Sequence, residues 1–181
     1  MLINPPQVFT KNQVASGITP PLGIAYLAAI LEQNDVSVDI IDAVGLESGT
    51  INAFEKETFV RGLSFEDIVA RLDNQVKIVG ISNLFSFAYP VVQELCRQIR
   101  AFNSDIKIVL GGPHPSALYA EILDEDRDLV DFVVLGEGEN PFLYLCQKLL
   151  QENMLFQGNI GGDISNLAYL DDNGHCVMGT E

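Results

Sequence analysis

Cationic side chains are what this sequence most lacks. Its 10 Lys and Arg face 25 Asp and Glu, for a formal net charge of −15. Nucleic acid and anionic membranes both demand a basic face, so neither is expected as a partner. Cysteine is also scarce: Cys96, Cys146 and Cys176 are odd in number, widely spaced and outside any CxxC or CxxxCxxC pattern. A zinc or iron–sulfur site made by this chain alone is therefore not expected. No apolar run approaches the roughly 20 residues of a bilayer span; the longest, Leu27–Leu31 and Val76–Ile81, are strand-sized. The opening MLINPPQVF lacks a basic n-region and a long h-region, so no signal peptide is read and a cytoplasmic location is expected. A G-x-G-x-x-G between the first strand and first helix is missing too, which removes the usual dinucleotide reading of Asp42.

What is present is a core-forming composition. The 181 residues are 48% hydrophobic, enough for one domain and a short appendage. Met1–Ile3 begins a strand that stops at Asn4-Pro5-Pro6, and a long polar loop is expected from Gln7 to Pro21. Leu22, Ala25, Tyr26, Ala29 and Ile30 recur at helical spacing through Gln33. Further strands are expected at Val36–Ile41, Lys77–Ser82, Ile106–Leu110 and Phe132–Leu135, each short and apolar in the manner of a covered parallel strand. Val44–Gly62 reads as irregular, and helices are expected from Ser64, from Ala88 to Phe102, after His114, and around Phe142–Leu150. Asn166–Leu170 and His175–Met178 flank an Asp-Asn-Gly turn and read as a small hairpin.

Strands alternating with helices predict a doubly wound, five-stranded parallel α/β domain of order 2-1-3-4-5 over residues 1–152, followed by a hairpin or linker over 153–181. In such a sheet the strand–helix loops share one rim, and ligands bind where the strand order reverses. The unusual loops all fall on that rim: Asn4-Pro5-Pro6, Ser82-Asn83-Leu84, Gly111-Gly112-Pro113 and Gly136-Glu137-Gly138. Glycines at strand ends let the backbone turn and let a ligand approach without a Cβ in the way. The plainer readings are helix capping by Ser82 or Ser86 and dipole complementation by Glu137 and Glu139. His114 has no second ligand nearby in sequence, and no Ser/His/Asp or Cys/His set suggests catalysis, so neither catalytic nor metal-ligating residues are assigned.

The succession PPLGIAYLAAILEQNDVSVDIIDA, VGISNLFS, KIVLGGPHPSALYAEIL and VDFVVLGEGENPF resembles the amino-terminal cobalamin-binding domain of cobalamin-dependent radical SAM enzymes. The resemblance covers about Met1–Leu150. It implies cobalamin at the rim, with the corrin against the glycine loops and the nucleotide tail beside the first and third strands. Ser82 and Leu84 match a Ser-x-Leu element, and Gly111-Gly112 a Gly-Gly element, of methionine-synthase-type modules. The Asp-x-His-x-x-Gly that supplies a lower histidine ligand there is replaced here by NPPQVFTKNQ. The resemblance thus implies base-off cobalamin with no histidine on cobalt, and His114 as a bystander. It further implies a barrel elsewhere in the parent protein, carrying the [4Fe–4S] cluster, S-adenosylmethionine and methyltransferase-type chemistry, with the tail from Asn159 leading toward it. The alternative is the same fold without cobalamin, positioning a substrate or binding another protein. Gly112→Val is expected to block the corrin's approach.

Overall fold

The computed structural model describes residues 1–11, 17–151 and 162–180. In chain order it forms β1 (Leu2–Asn4), β2 (Gln7–Thr10), α1 (Leu22–Gln33), β3 (Ile40–Asp42), α2 (Ala43–Leu46), β4 (Ile51–Glu55) and β5 (Thr58–Arg61). Then follow α3 (Phe65–Val69), β6 (Ile78–Ser82), α4 (Tyr89–Phe102), β7 (Lys107–Gly111), α5 (Pro113–Glu125), β8 (Phe132–Val134), α6 (Glu139–Gln151), β9 (Leu167–Leu170) and β10 (Cys176–Met178).

The main sheet runs β3-β1-β6-β7-β8-β9-β10; its first five strands are parallel, and the β8–β9 and β9–β10 pairings are antiparallel. Side chains alternate between its faces, as a strand's period of two requires. Leu2, Ile78, Val109, Phe132 and Val134 pack on one face with Ile24, Leu31, Phe142 and Leu145 of α1 and α6. Ile3, Val79, Ile81, Ile108, Leu110 and Val133 pack on the other with Ile68, Leu95, Ile99 and Leu123 of α3, α4 and α5. Fully buried side chains such as Ile108 and Leu110 each contribute about 2 kcal/mol by removal from water.

Three expectations are corrected. The sheet has seven strands rather than five, because the carboxyl-terminal hairpin joins it: β9 pairs antiparallel with β8, and Leu167 and Ala168 are wholly buried. A parallel sheet ending at β8 would leave an open edge, and the hairpin covers it. The second correction lies in the segments read as loop and irregular chain. Gln7–Thr10 and residues 51–61 form a separate antiparallel sheet, β2-β5-β4, with Phe9 stacked on Phe59 at 5.9 Å. Its strands are short and β4 is almost wholly exposed, so no buried alternation marks it, and the Lys56-Glu57 turn carries no glycine. The third concerns α1, whose buried stripe is Ile24, Ala28 and Leu31, leaving Leu22 and Tyr26 exposed. Small and apolar residues surround this helix, so spacing alone does not select a face. The boundary expected at residues 152–153 lies outside the described residues.

Candidate binding site

The parallel strands end together, and their loops surround a cavity of about 740 Å³. That volume lies within the usual range for small-molecule sites, roughly 300–1,000 Å³. Its floor is apolar: Leu2, Gly80, Val109, Val134 and Phe142 come from the sheet and α6, while Ile24 and Leu27 come from α1. Asn4, Pro5, Pro6, Ser82, Asn83, Leu84, Gly111, Gly112, Gly136, Glu137 and Gly138 all line it. Pro113 does not; it sits in the first turn of α5, where a missing N–H costs nothing.

Each polar wall residue has a local reason for its position. Asn4 ends β1 beside Asp42 of β3, and its Nδ2 donates to Asp42 Oδ1 at 2.8 Å. That bond fixes the amide and leaves its Oδ1 for another donor. Asn83 follows β6, and its backbone N–H donates to the Gly111 carbonyl at 2.8 Å. Its side chain is 1% exposed, and neither amide atom has a partner. A buried amide in this state is costly, about 1–3 kcal/mol, and calls for a ligand or an ordered water. Gly136 takes φ +65° and donates its N–H to Ser116 Oγ at 3.0 Å, tying the β8–α6 loop to α5.

The two glycines after β7 differ. A Cβ on Gly111 would meet nothing within 4 Å, whereas one on Gly112 would lie 2.6 Å from the Asn83 carbonyl oxygen, at φ +111°. Gly112 therefore serves the packing of one rim loop on another. A valine at Gly112 would strain that packing before it reached any ligand, whereas a side chain at Gly111 would enter open space at the cavity's edge.

His114 is buried in the first turn of α5, away from the cavity wall. Its Nδ1 lies 2.9 Å from Ser86 Oγ, its ring packs on Tyr89 at 4.8 Å, and burial pushes its imidazole below the ordinary range. Tyr89 in turn donates to Asp126 at 2.5 Å. Ser86 is thus engaged with His114, and no side chain caps α4. Glu139 begins α6 and lines the cavity beside Glu137. Among the described residues no group of His, Cys, Asp and Glu can hold a metal ion, and no helix is long and apolar enough to cross a membrane. Cys96 and Cys146 are buried, and burial pushes each thiol up to about 12; Cys176 is exposed.

Sequence reading missed the floor. Gly80 is its clearest member, for a Cβ there would lie 2.9 Å from both Leu2 and Phe142. A glycine inside an otherwise apolar strand marks close approach and was the available signal. Phe87, stacked on Phe85 at 5.3 Å near the mouth, was also missed, and nothing in the local pattern points to it.

A doubly wound sheet with a glycine-edged, apolar-floored cavity at its carboxyl rim defines a cofactor-binding module. The family model of the B12 binding domain matches residues 12–145, and the chain belongs to that family. Cobalamin is the cofactor that this membership gives the chain. Cytidylyl-2-hydroxyethylphosphonate methyltransferase of Streptomyces wedmorensis is 31% identical over 100% of this chain and 33% of its own length. An uncharacterized methyltransferase of Pyrococcus horikoshii is 31% identical over 82% of this chain and 29% of its own. This chain therefore spans about a third of those relatives. In fold it is similar to the radical S-adenosylmethionine methyltransferase TsrM of Kitasatospora setae, solved with cobalamin and a [4Fe-4S] cluster bound. The TM-score is 0.65 at 17% identity, over 98% of this chain and 28% of that one.

Proposed function

We propose that this chain is the cobalamin-binding module of a radical SAM enzyme of methyltransferase type, holding the cofactor base-off with no histidine on cobalt. The observation that carries the reading is the cavity wall itself. It joins an apolar floor, glycine-edged loops and the unpartnered Asn83 amide, and among the described residues it has no imidazole. Bound cobalamin would supply a cobalt centre able to carry a methyl group. The protein's part is to hold and orient. Gly111 and Gly136, where a Cβ would meet nothing within 4 Å, leave room along the rim for a broad ring system, and Gly138 lets the loop lie close on Leu27 and Val134. Asn4, Ser82 and Asn83 offer hydrogen bonds to its polar arms, and the floor around Gly80 takes an apolar one. Pro5 and Pro6 stiffen the loop beside the wall, and Leu84 adds apolar contact.

Radical chemistry belongs in this reading to a barrel elsewhere in the parent protein, with its own [4Fe–4S] cluster and S-adenosylmethionine. Residues 1–152 belong to the module, and residues 153–181 lead toward that barrel, with β9 and β10 among them adding strands to the sheet. Lengths and names of the relatives support this: they are about three times longer and include methyltransferases.

Titrating the chain with hydroxocobalamin, followed by gel filtration, tests the reading. Retained cofactor with a changed visible spectrum is expected. The reduced cob(II)alamin complex should give an electron paramagnetic resonance signal without splitting from an axial nitrogen. No retention would overturn the cofactor assignment; clear nitrogen splitting would overturn the base-off, histidine-free assignment.

A further inference from the structure

We propose that this cavity reads the carboxamides of a corrinoid's rim, and selects amidated corrinoids over those in which an amide is replaced by a carboxylate. The proposal rests on the corrinoid reading above and concerns which corrinoid is taken. Among the described residues, the cavity wall includes no Lys, Arg or His. Its charged members are Glu137 and Glu139, in the loop and first turn at the start of α6. Asn4 gives one amide N–H to Asp42, so its oxygen and its second N–H remain for a ligand. Asn83, 1% exposed with both amide atoms unpartnered, adds a further acceptor oxygen and two N–H donors. The polar wall is thus rich in acceptors and carries no fixed positive charge.

A primary carboxamide donates two N–H bonds and carries no charge, so it satisfies carboxylate and amide oxygens alike. A carboxylate in its place donates nothing and meets like charge. Like charges at close range repel, and more strongly beside a protein surface than in bulk water. Rejecting the acid form in this way is specificity by repulsion rather than by added attraction.

The probes are hydroxocobalamin and its isomeric monocarboxylic acids, each with one rim amide hydrolysed, so that ligand size and cobalt are unchanged. Dissociation constants come from the visible spectrum. The most affected isomer is expected to bind at least tenfold more weakly than the amide parent, and added salt should narrow that gap because mouth charges are screened. In the Glu137→Gln/Glu139→Gln double variant, which keeps an acceptor oxygen at each position and removes both charges, the gap between parent and acid should shrink at least threefold. All isomers binding within twofold of the parent would overturn the proposal, as would an undiminished gap in the double variant. A chain that binds no corrinoid would instead overturn the cofactor reading on which it rests.

Discussion

Gly111 and Gly112 are adjacent, identical and used for different ends. Gly112 turns through φ +111° with the Asn83 carbonyl 2.6 Å from where a Cβ would stand, so a side chain there breaks the fold locally. Gly111 has open space at the same position. Gly112→Val should therefore cost roughly 2–4 kcal/mol of stability from strain and overlap, read as a lowered denaturant midpoint. Gly111→Val should leave that midpoint within about 1 kcal/mol, since surface changes free of strain are small, yet abolish hydroxocobalamin retention. If Gly112→Val melted like wild type, the assignment of the two glycines would be reversed. The sequence showed that two glycines follow the strand. Which of them has room for a side chain depends on the Asn83 loop, some thirty positions earlier in the chain, and local pattern carries no trace of it.

At the scale of elements, the rim holds its shape because ordinary contacts fix the strands beneath it. Asp131, at the start of β8, accepts from Arg100 of α4, from Lys107 Nζ at 3.1 Å and from the Ile108 N–H at 2.8 Å. Arg100 also donates to the Ile106 and Leu129 carbonyls at 2.6 and 3.1 Å. One carboxylate thereby clasps α4, β7 and β8, at the end of the sheet opposite the cavity. Asp131→Ala should cost about 2–3 kcal/mol, the worth of charge-assisted bonds left unmade. Urea unfolding checks this, and hydroxocobalamin affinity under folding conditions should change by less than twofold. A large loss of affinity would mean that the clasp reaches the rim. The parallel strands and most helices were legible because their apolar periods are strong; Ser64, for instance, caps α3 on Asp67 as its spacing requires. The β2-β5-β4 sheet was not, because exposed strands leave no period to read.

For the molecule as a whole, the two buried thiols set a pH limit. Burial raises the Cys96 and Cys146 thiols from their ordinary value of 9.0 to about 12, so the folded state keeps both protonated over a range where the unfolded chain releases them. A raised folded value means that this stability is complete below about pH 9 and is lost as pH rises toward 12. The slope is about 1.4 kcal/mol per pH unit for each thiol. Urea midpoints should fall between pH 8 and 10.5 in wild type, and fall less in Cys96→Ala/Cys146→Ala. An equal fall in both would remove the thiols as the cause. The exposed apolar face of α1, with Leu22 at 66% and Tyr26 at 64%, is also a property of the whole, since it emerges only once Ile24, Ala28 and Leu31 have taken the sheet.

By itself the sequence determined the class of fold and the site's address. Short Val- and Ile-rich runs can only be covered strands, and runs ending in glycine or proline place those residues on one rim. Both properties are local in the chain, which is why they can be read there. Tertiary structure alone decided what the rim encloses. The seventh strand, the floor at Gly80 and the unpartnered Asn83 each depend on which distant segments pack together. That is settled by burial and hydrogen bonding between elements, and a single stretch of chain holds neither.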